Sequence, residues 1–235
     1  MRTVIISDLH NRVNWVEPVL SSLDFDKVIF LGDYFDEFND TLDSIINSAK
    51  WLKQSLSIPG RVHLFGTHDI WYRFPNNPFL QASGNTVINS KAINKILTEK
   101  DWKKIKLYHC EQKFLLTHAG LHPYIIGKND FHQVIRPATE KALLDAEDGK
   151  VNPWLDSGFA REGIQPFGGI TWLDWNFEFE PIPNLNQIVG HTELKVPEEK
   201  STPNSKNYCM DTRNKHIGII EDGAFKWMDR PIALS

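Results

Sequence analysis

Short apolar runs that end abruptly at a polar residue punctuate this chain. Val4-Ile5-Ile6, Val28-Ile29-Phe30-Leu31, Val62-His63-Leu64-Phe65, Phe114-Leu115-Leu116 and Ile188-Val189 each read as a buried strand, and an Asp or a His stands close behind each of them. Between these runs the apolar period changes. Val16, Val19, Leu20 and Leu23 recur at helical spacing, with Asn14 and Glu17 as a capping box and Pro18 tolerable in the first turn. A longer helix is predicted over 40–56, with Leu42, Ile45, Ile46, Ala49 and Leu52 on one face and Pro59-Gly60 as its stop.

Residues 70–88 carry Pro75, Asn76, Asn77, Pro78 and Gly84 and read as a long ordered loop. A short helix from Lys91 to Glu99 precedes two strands, Ile105 to His109 and Lys113 to Thr117, joined at Glu111-Gln112. Helical spacing returns over 130–147 through Val134, Ile135, Ala138, Ala142, Leu143 and Ala146. Residues 152–184 are crowded with Pro, Gly and aromatics, including Trp154, Trp172 and Trp175, so 120–185 reads as a helical and loop cap beside a site. The C-terminal part returns to strands at Gln187 to Val189, Asn207 to Met210, His216 to Ile220 and Ala224 to Met228, with Asp222-Gly223 as a hairpin turn. The succession predicts a single α/β domain over 1–235, with ligands at strand C-termini, where open α/β sheets carry their chemistry.

Composition adds limits rather than new features. The 235 residues are 41% hydrophobic and 24% charged, enough to build a core without staples. Cys110 and Cys209 stand far apart with no partner at ligand spacing, which predicts neither a disulfide framework nor a zinc knuckle, and a reducing compartment. The N-terminus runs straight into a strand pattern and no segment reaches spanning length, so the expected location is cytoplasmic, away from membranes. The formal charge of -4, from 26 basic and 30 acidic residues without a basic stripe, argues against duplex nucleic acid as a partner. Bound cations would consume part of that negative charge.

The polar residues behind the strands form five strings: Asp8-Leu9-His10, Gly32-Asp33-Tyr34-Phe35-Asp36, Gly66-Thr67-His68-Asp69, Thr117-His118-Ala119-Gly120 and Gly190-His191-Thr192. Asp8 and His10, two residues apart, project to the same side where a strand breaks into a loop, so both can reach one cation. Asp33 brings a carboxylate able to bridge two cations about 3.5–4 Å apart, the separation of two-metal hydrolysis. His118 and His191 each precede small residues that leave room for a substrate oxygen. A lone Asp-x-His is common; a carboxylate or imidazole at the end of five successive strands is not.

These strings resemble the signature of the calcineurin-like metallophosphoesterases: Asp-x-His, Gly-Asp-x-x-Asp, Gly-Asn-His-Asp/Glu, a later His before small residues, and Gly-His-Thr. The resemblance spans 5–193. Tyr208-Cys209-Met210-Asp211-Thr212, and the lack of a second His two residues after His191, look like the phosphoprotein phosphatase branch that includes the symmetrical bis(nucleosyl)tetraphosphatases. The resemblance implies a β-sandwich of two mixed sheets flanked by helices and two divalent metal ions. Mn²⁺ is the assay choice, with Fe, Zn or Ni also compatible with mixed oxygen and nitrogen ligands. It assigns Asp8 and His10 to the first metal, Asp33 to the bridge, and His118 and His191 to the second, with His68 as general acid oriented by Asp36.

Three positions depart from the pattern. Thr67 stands where the family places a metal-binding Asn, and its shorter hydroxyl predicts a weaker second metal. Glu37 stands where phosphoprotein phosphatases carry an Arg that grips phosphate, which leaves Arg12, Arg73, Arg136 or Arg161 as replacements, Arg12 and Arg73 being closest to the motifs. Glu193 occupies the place of a further His ligand. The expected activity is hydrolysis of a phosphomonoester or a dinucleoside polyphosphate. A protein Ser/Thr phosphatase, a phosphodiesterase and a non-catalytic scaffold are the alternatives, and oligomeric state is open.

Overall fold

The computed structural model describes residues 1–37, 40–127 and 129–232. The chain opens with β1 (Arg2–Ile6), α1 (Val16–Ser21), β2 (Lys27–Phe30), α2 (Leu42–Ser55) and β3 (Arg61–His63). Three helices follow, α3 (Thr67–Arg73), α4 (Val87–Asn94) and α5 (Glu99–Trp102), then the hairpin β4 (Tyr108–Glu111) and β5 (Phe114–Thr117). After α6 (Pro123–Ile126) and α7 (Phe131–Glu147) come β6 (Asn186–Val189), β7 (Glu198–Thr202), β8 (Ser205–Cys209), β9 (His216–Glu221) and β10 (Ala224–Asp229). No helix among the described residues is long and apolar enough to cross a membrane.

The strands form two mixed five-stranded sheets, ordered β10-β9-β1-β2-β3 and β4-β5-β6-β8-β7. Within the first, β1, β2 and β3 run parallel; within the second, β5, β6 and β8 do. Alternate residues of the parallel strands face opposite cores. Ile5, Ile29 and Leu31 pack with Leu116, Ile188 and Met210 between the sheets, whereas Val4, Ile6, Val28 and Phe30 pack outward under the helices. Burial on both faces is why these strands read as continuous apolar runs. Register pairs Ile6 with Phe30 and Phe30 with His63, so the loops that follow β1, β2 and β3 leave the sheet at one edge.

Some local expectations give way to tertiary contacts. Asn14 does not cap α1: its Oδ1 accepts from Asn47 at 2.9 Å, and Glu17 is drawn instead to Arg61 and to the Trp51 indole N–H. The stretch expected as one long loop begins with α3, whose Ile70, Trp71 and Tyr72 are buried. Its Asn77 is buried, and Nδ2 donates to the carbonyls of Ala146, in the last turn of α7, and Lys150, just beyond it. The helix expected from Lys91 divides into α4 and α5. β7 carried no apolar signal, being an exposed edge strand of sequence EEKST. In the 120–185 segment, Phe131, Ile135, Ala142, Trp154 and Ile170 share the large core with Val4, and Leu173, Trp175 and Phe179 pack on Val189 and Cys209.

His63 closes the core side of β3. It is 1% exposed, stacks on Phe30 with centroids 4.6 Å apart, and bonds Ser55 Oγ through Nε2 and the Tyr34 hydroxyl through Nδ1. Burial, with the nearby Arg61 charge, pushes it down to about 3. The unfolded chain therefore takes up a proton near pH 6.5 that the folded chain refuses until about pH 3, so His63 removes stability as pH falls through that window. Urea unfolding should show wild type losing about 2 kcal/mol relative to His63→Gln between pH 7 and pH 5; parallel profiles would refute this origin of acid sensitivity.

Candidate metal centre

The loops at that sheet edge, and the loop behind β6 of the second sheet, turn through left-handed residues: Asp8 (φ 49°), His10 (φ 43°), Asp33 (φ 52°) and Asp36 (φ 60°) in the former and His191 (φ 67°) in the latter. Asp, Asn and His tolerate this region better than other side chains, and such residues persist only where the surroundings over-determine them. The surroundings do so here. The His10 N–H donates to Asp33 O at 2.8 Å and the Asn11 N–H to Tyr34 O at 2.9 Å, joining the first two loops. The buried Asp69 carboxylate accepts from the N–H groups of Asp33 (2.7 Å), Tyr34 (2.8 Å) and Gly66 (2.9 Å), joining the second and third. Asp8 Oδ1 accepts from the His191 N–H at 3.0 Å, joining the first and fifth. Gly66 and Gly190 allow the closest approaches: a Cβ would lie 2.1 Å from Asp33 Oδ1 at the former and 2.1 Å from Asp8 Oδ2 at the latter.

Two groups of possible ligands result, Asp8 with His10 and Asp33, and Asp33 with His118 and His191; the ligand atoms within each group lie within 4.8 Å of one another. Asp33 belongs to both. Carbonyl partners fix the ring tautomers, since a carbonyl can only accept: His10 Nδ1 donates to Asp36 O at 2.7 Å and His118 Nδ1 to Leu31 O at 2.9 Å. His10 thereby keeps the Nε2 lone pair for a ligand, while His118 Nε2 faces Asp33 Oδ2 at 3.3 Å. Asp8 Oδ2 and His191 Nε2 are buried without a hydrogen-bond partner, an arrangement that costs about 1–3 kcal/mol per group unless something satisfies it.

The local field favours a cation there. Burial alone would lower His118, yet the charge of Asp33 and its bond to His118, with Asp8 adding, hold it up at about 10. Burial, and then the charge of His118, push His191 well down, which keeps its ring neutral as a ligand must be. Asp8 is pushed well up by burial and by Asp211. Donor set, orphaned atoms and charge all fit divalent cations at the two groups.

Thr67 opens α3 with its Oγ1 3.4 Å from both Asp33 oxygens, while the His68 N–H donates to Asp33 Oδ1 at 2.9 Å. The His68 ring lies edge-on to His10 at 5.3 Å, with Nδ1 3.4 Å from Asp36 Oδ2. Burial opposes its charge, but Asp33 and Asp36 outweigh that and raise it. Asp36 is itself clamped by the Tyr72 hydroxyl and by Asn85 Nδ2, both at 2.6 Å. Neither residue was singled out in the sequence, because both come from the stretch that reads there as loop.

His10, Asp36 and His68 line one open cleft with Arg12, Glu37 and Arg213; Asp211 and Glu193 complete its far wall. Arg73 is not brought there. α3 turns it away from the cleft, over the Phe74 ring at 4.8 Å, with donors to Trp102 O and Glu99. Arg136 pairs with Glu140 on the surface, and Arg161 reaches Asp174 at 2.8 Å and Thr192 at 3.3 Å. Trp154 and Trp175 are buried, which leaves Trp172, edge-on to His191 at 5.7 Å, as the indole beside the ligands. Asp211, Arg213 and Asn214 were missed as site residues; Asp211-Thr212 ends a strand run, a signal of the same kind as the five strings.

A model of the calcineurin-like phosphoesterase family matches residues 1–196. Among solved structures, the cold-active protein-tyrosine phosphatase of the psychrophile Shewanella sp. is 14% identical, with 98% of this chain and 80% of that one covered and a TM-score of 0.61. Another structure of a cold-active protein tyrosine phosphatase, at 1.1 Å, gives 14% identity, coverage of 96% and 78%, and a TM-score of 0.58. At these identities the likeness is one of fold. A comparison with curated protein sequences found no match.

Two outcomes are expected from this geometry. Asp69→Asn replaces a carboxyl that accepts from three N–H groups through both oxygens by an amide that can accept with one atom only, and should cost about 2–3 kcal/mol in unfolding free energy; an unchanged urea midpoint would contradict the tie. Thr67 lies at a long distance from Asp33 and offers no imidazole or carboxylate, so calorimetric titration with Mn²⁺ should resolve two unequal sites. Two equal, tight sites would count against it.

Proposed function

The chain belongs to the calcineurin-like phosphoesterase family, a hydrolase of phosphoric esters that uses divalent metal ions, and from that premise we propose how its residues divide the work. Asp8, His10 and Asp33 hold one cation, and Asp33, His118 and His191, with the Thr67 hydroxyl beside them, hold the other. The observation that carries this reading is the pair of ligand groups sharing Asp33, with Asp8 Oδ2 and His191 Nε2 buried and left without partners. When bound, two such cations supply Lewis acidity and a hydroxide nucleophile near neutral pH. His68, whose charged form Asp33 and Asp36 favour, gives its proton to the departing oxygen. Asp36 orients that ring, and Tyr72 and Asn85 hold Asp36 in turn. Arg12 stands in the wall of the cleft to meet the phosphoryl group.

The proposed substrate is a phosphomonoester or a dinucleoside polyphosphate. Of the three Trp residues in 152–184 that could serve as a base platform, Trp172 alone is not buried, so any base stacking, worth about 1–3 kcal/mol, rests on that ring. A phosphate-release panel with Mn²⁺ should include 4-nitrophenyl phosphate, bis(4-nitrophenyl) phosphate, a dinucleoside tetraphosphate and phosphopeptides. It tests the reading directly, and preference for the diester would move it to a phosphodiesterase. His68→Ala should lower kcat about 10²–10⁴-fold with bound metal unchanged. Full turnover in that variant would remove His68 from the proton transfer.

A further inference from the structure

Two arginines enter the cleft from loops 200 positions apart and meet on one carboxylate. Arg12, behind β1, pairs with Glu37 through Nη1. Arg213, ahead of β9, places Nη2 3.2 Å from the other oxygen of the same Glu37. All three line the cleft that contains His10 and His68. The two arginines are held differently, Arg12 through its side chain and Arg213 through its backbone and Glu37. Arg12 Nε donates to Asn214 Oδ1 at 3.0 Å, and Asn214, itself buried, donates through Nδ2 to the carbonyls of Ser7 (3.0 Å) and Asp8 (2.8 Å). The Arg213 N–H donates to Asp211 Oδ1 at 3.0 Å. The scaffold that positions the Asp8 loop therefore also positions the Arg12 side chain and the turn that carries Arg213.

An ordinary surface ion pair matches one cation with one anion and is worth little. Here two guanidinium groups share one carboxylate. Glu193, mostly exposed, lies 3.9 Å from Arg213 Nε, and Asp36 and Asp211 also line the cleft. The trio carries a net positive charge beside a floor of carboxylates and imidazoles suited to cations. Arg12 Nη2 and Arg213 Nη1 donate to no protein acceptor among the described residues, and planar guanidinium groups with free donors match phosphoryl oxygens.

We propose that Arg12 and Arg213 form a two-armed clamp for the phosphoryl oxygens of the substrate, and that Glu37 is the positioning residue that keeps both arms aimed into the cleft. The clamp rests on the hydrolase reading above and adds to it Arg213, Glu37 and the role of Asn214. It also accounts for an acidic residue at position 37: the carboxylate there organises two arginines supplied from elsewhere.

The test is the binding of inorganic phosphate to the Mn²⁺-loaded protein, by calorimetry and by competitive inhibition of 4-nitrophenyl phosphate turnover. Arg12→Ala and Arg213→Ala should each weaken phosphate about tenfold to a hundredfold, raising KM with kcat changed only a few-fold, and Arg213→Lys should recover part of the loss. Glu37→Ala separates positioning from charge. Coulomb attraction alone predicts tighter phosphate once the carboxylate is gone, whereas a clamp that has lost its brace predicts binding weakened several-fold. Unchanged phosphate affinity in Arg213→Ala, or tighter binding in Glu37→Ala, overturns the proposal, as does a wild type that turns over without binding phosphate. Phosphate lost in Arg213→Ala while wild type shows no metal-dependent turnover would overturn the hydrolase reading and leave the clamp.

Discussion

Three backbone N–H groups converge on the carboxylate of Asp69, and the geometry of the whole centre follows from that convergence. The carboxylate draws the loop behind β2 against the loop behind β3 so tightly that Gly66 leaves no room for a Cβ beside Asp33. Held from both sides, Asp33 adopts a left-handed backbone, and its side chain faces both ligand groups at once. Such conformations cost about 1–3 kcal/mol each. The three hydrogen bonds to Asp69 offset part of that cost, each worth about 1 kcal/mol net.

The same device recurs where regular secondary structure is absent. Glu178, also buried, accepts from the N–H groups of Ala160 (3.0 Å), Gly168 (2.9 Å) and Asp174 (3.2 Å). It gathers the irregular stretch around Trp172 into a defined wall beside His191. A buried carboxylate can serve as a hub in this way because it offers about four acceptor sites to N–H groups that no strand or helix satisfies. The consequence is an unusual density of buried acid. Asp8, Asp33 and Asp69 are each almost fully buried, a concentration of acid that the His118 imidazole partly offsets and that suits cations.

How far the chain could be read depends on whether a feature is local. Strand ends were legible, because burial on both faces writes a continuous apolar run and its polar terminator into consecutive residues. The five strings and the order of the main strands came from that signal. Asn14 was misread because a capping box is judged on four consecutive residues, while its partner Asn47 lies on another helix. The stretch after His68 was misread because Asn77 and Asn85 look like loop residues. One satisfies carbonyls at the end of α7 and the other braces Asp36, and neither need shows in the local sequence. Arg213 and Asn214 were hidden for the same reason, since their partners lie about 200 positions away.

Thr67 and Glu37 look like losses when judged one position at a time, and in the fold each is joined to a different arrangement. An amide at 67 would turn a carbonyl oxygen toward the second ligand group. The threonine hydroxyl instead stands 3.4 Å from both Asp33 oxygens, where it can donate to the carboxylate rather than accept from it. A donor there withdraws electron density from Asp33, so the second candidate group rests on His118, which is buried and fixed by Leu31 O, and on the partly buried His191. Glu37 likewise exchanges a cation for an anion, yet gathers two cations in doing so. In both places the local sign of charge or hydrogen bonding reverses while the wider group of residues keeps the same capacity, two ligand groups sharing Asp33 and a positive edge to the cleft.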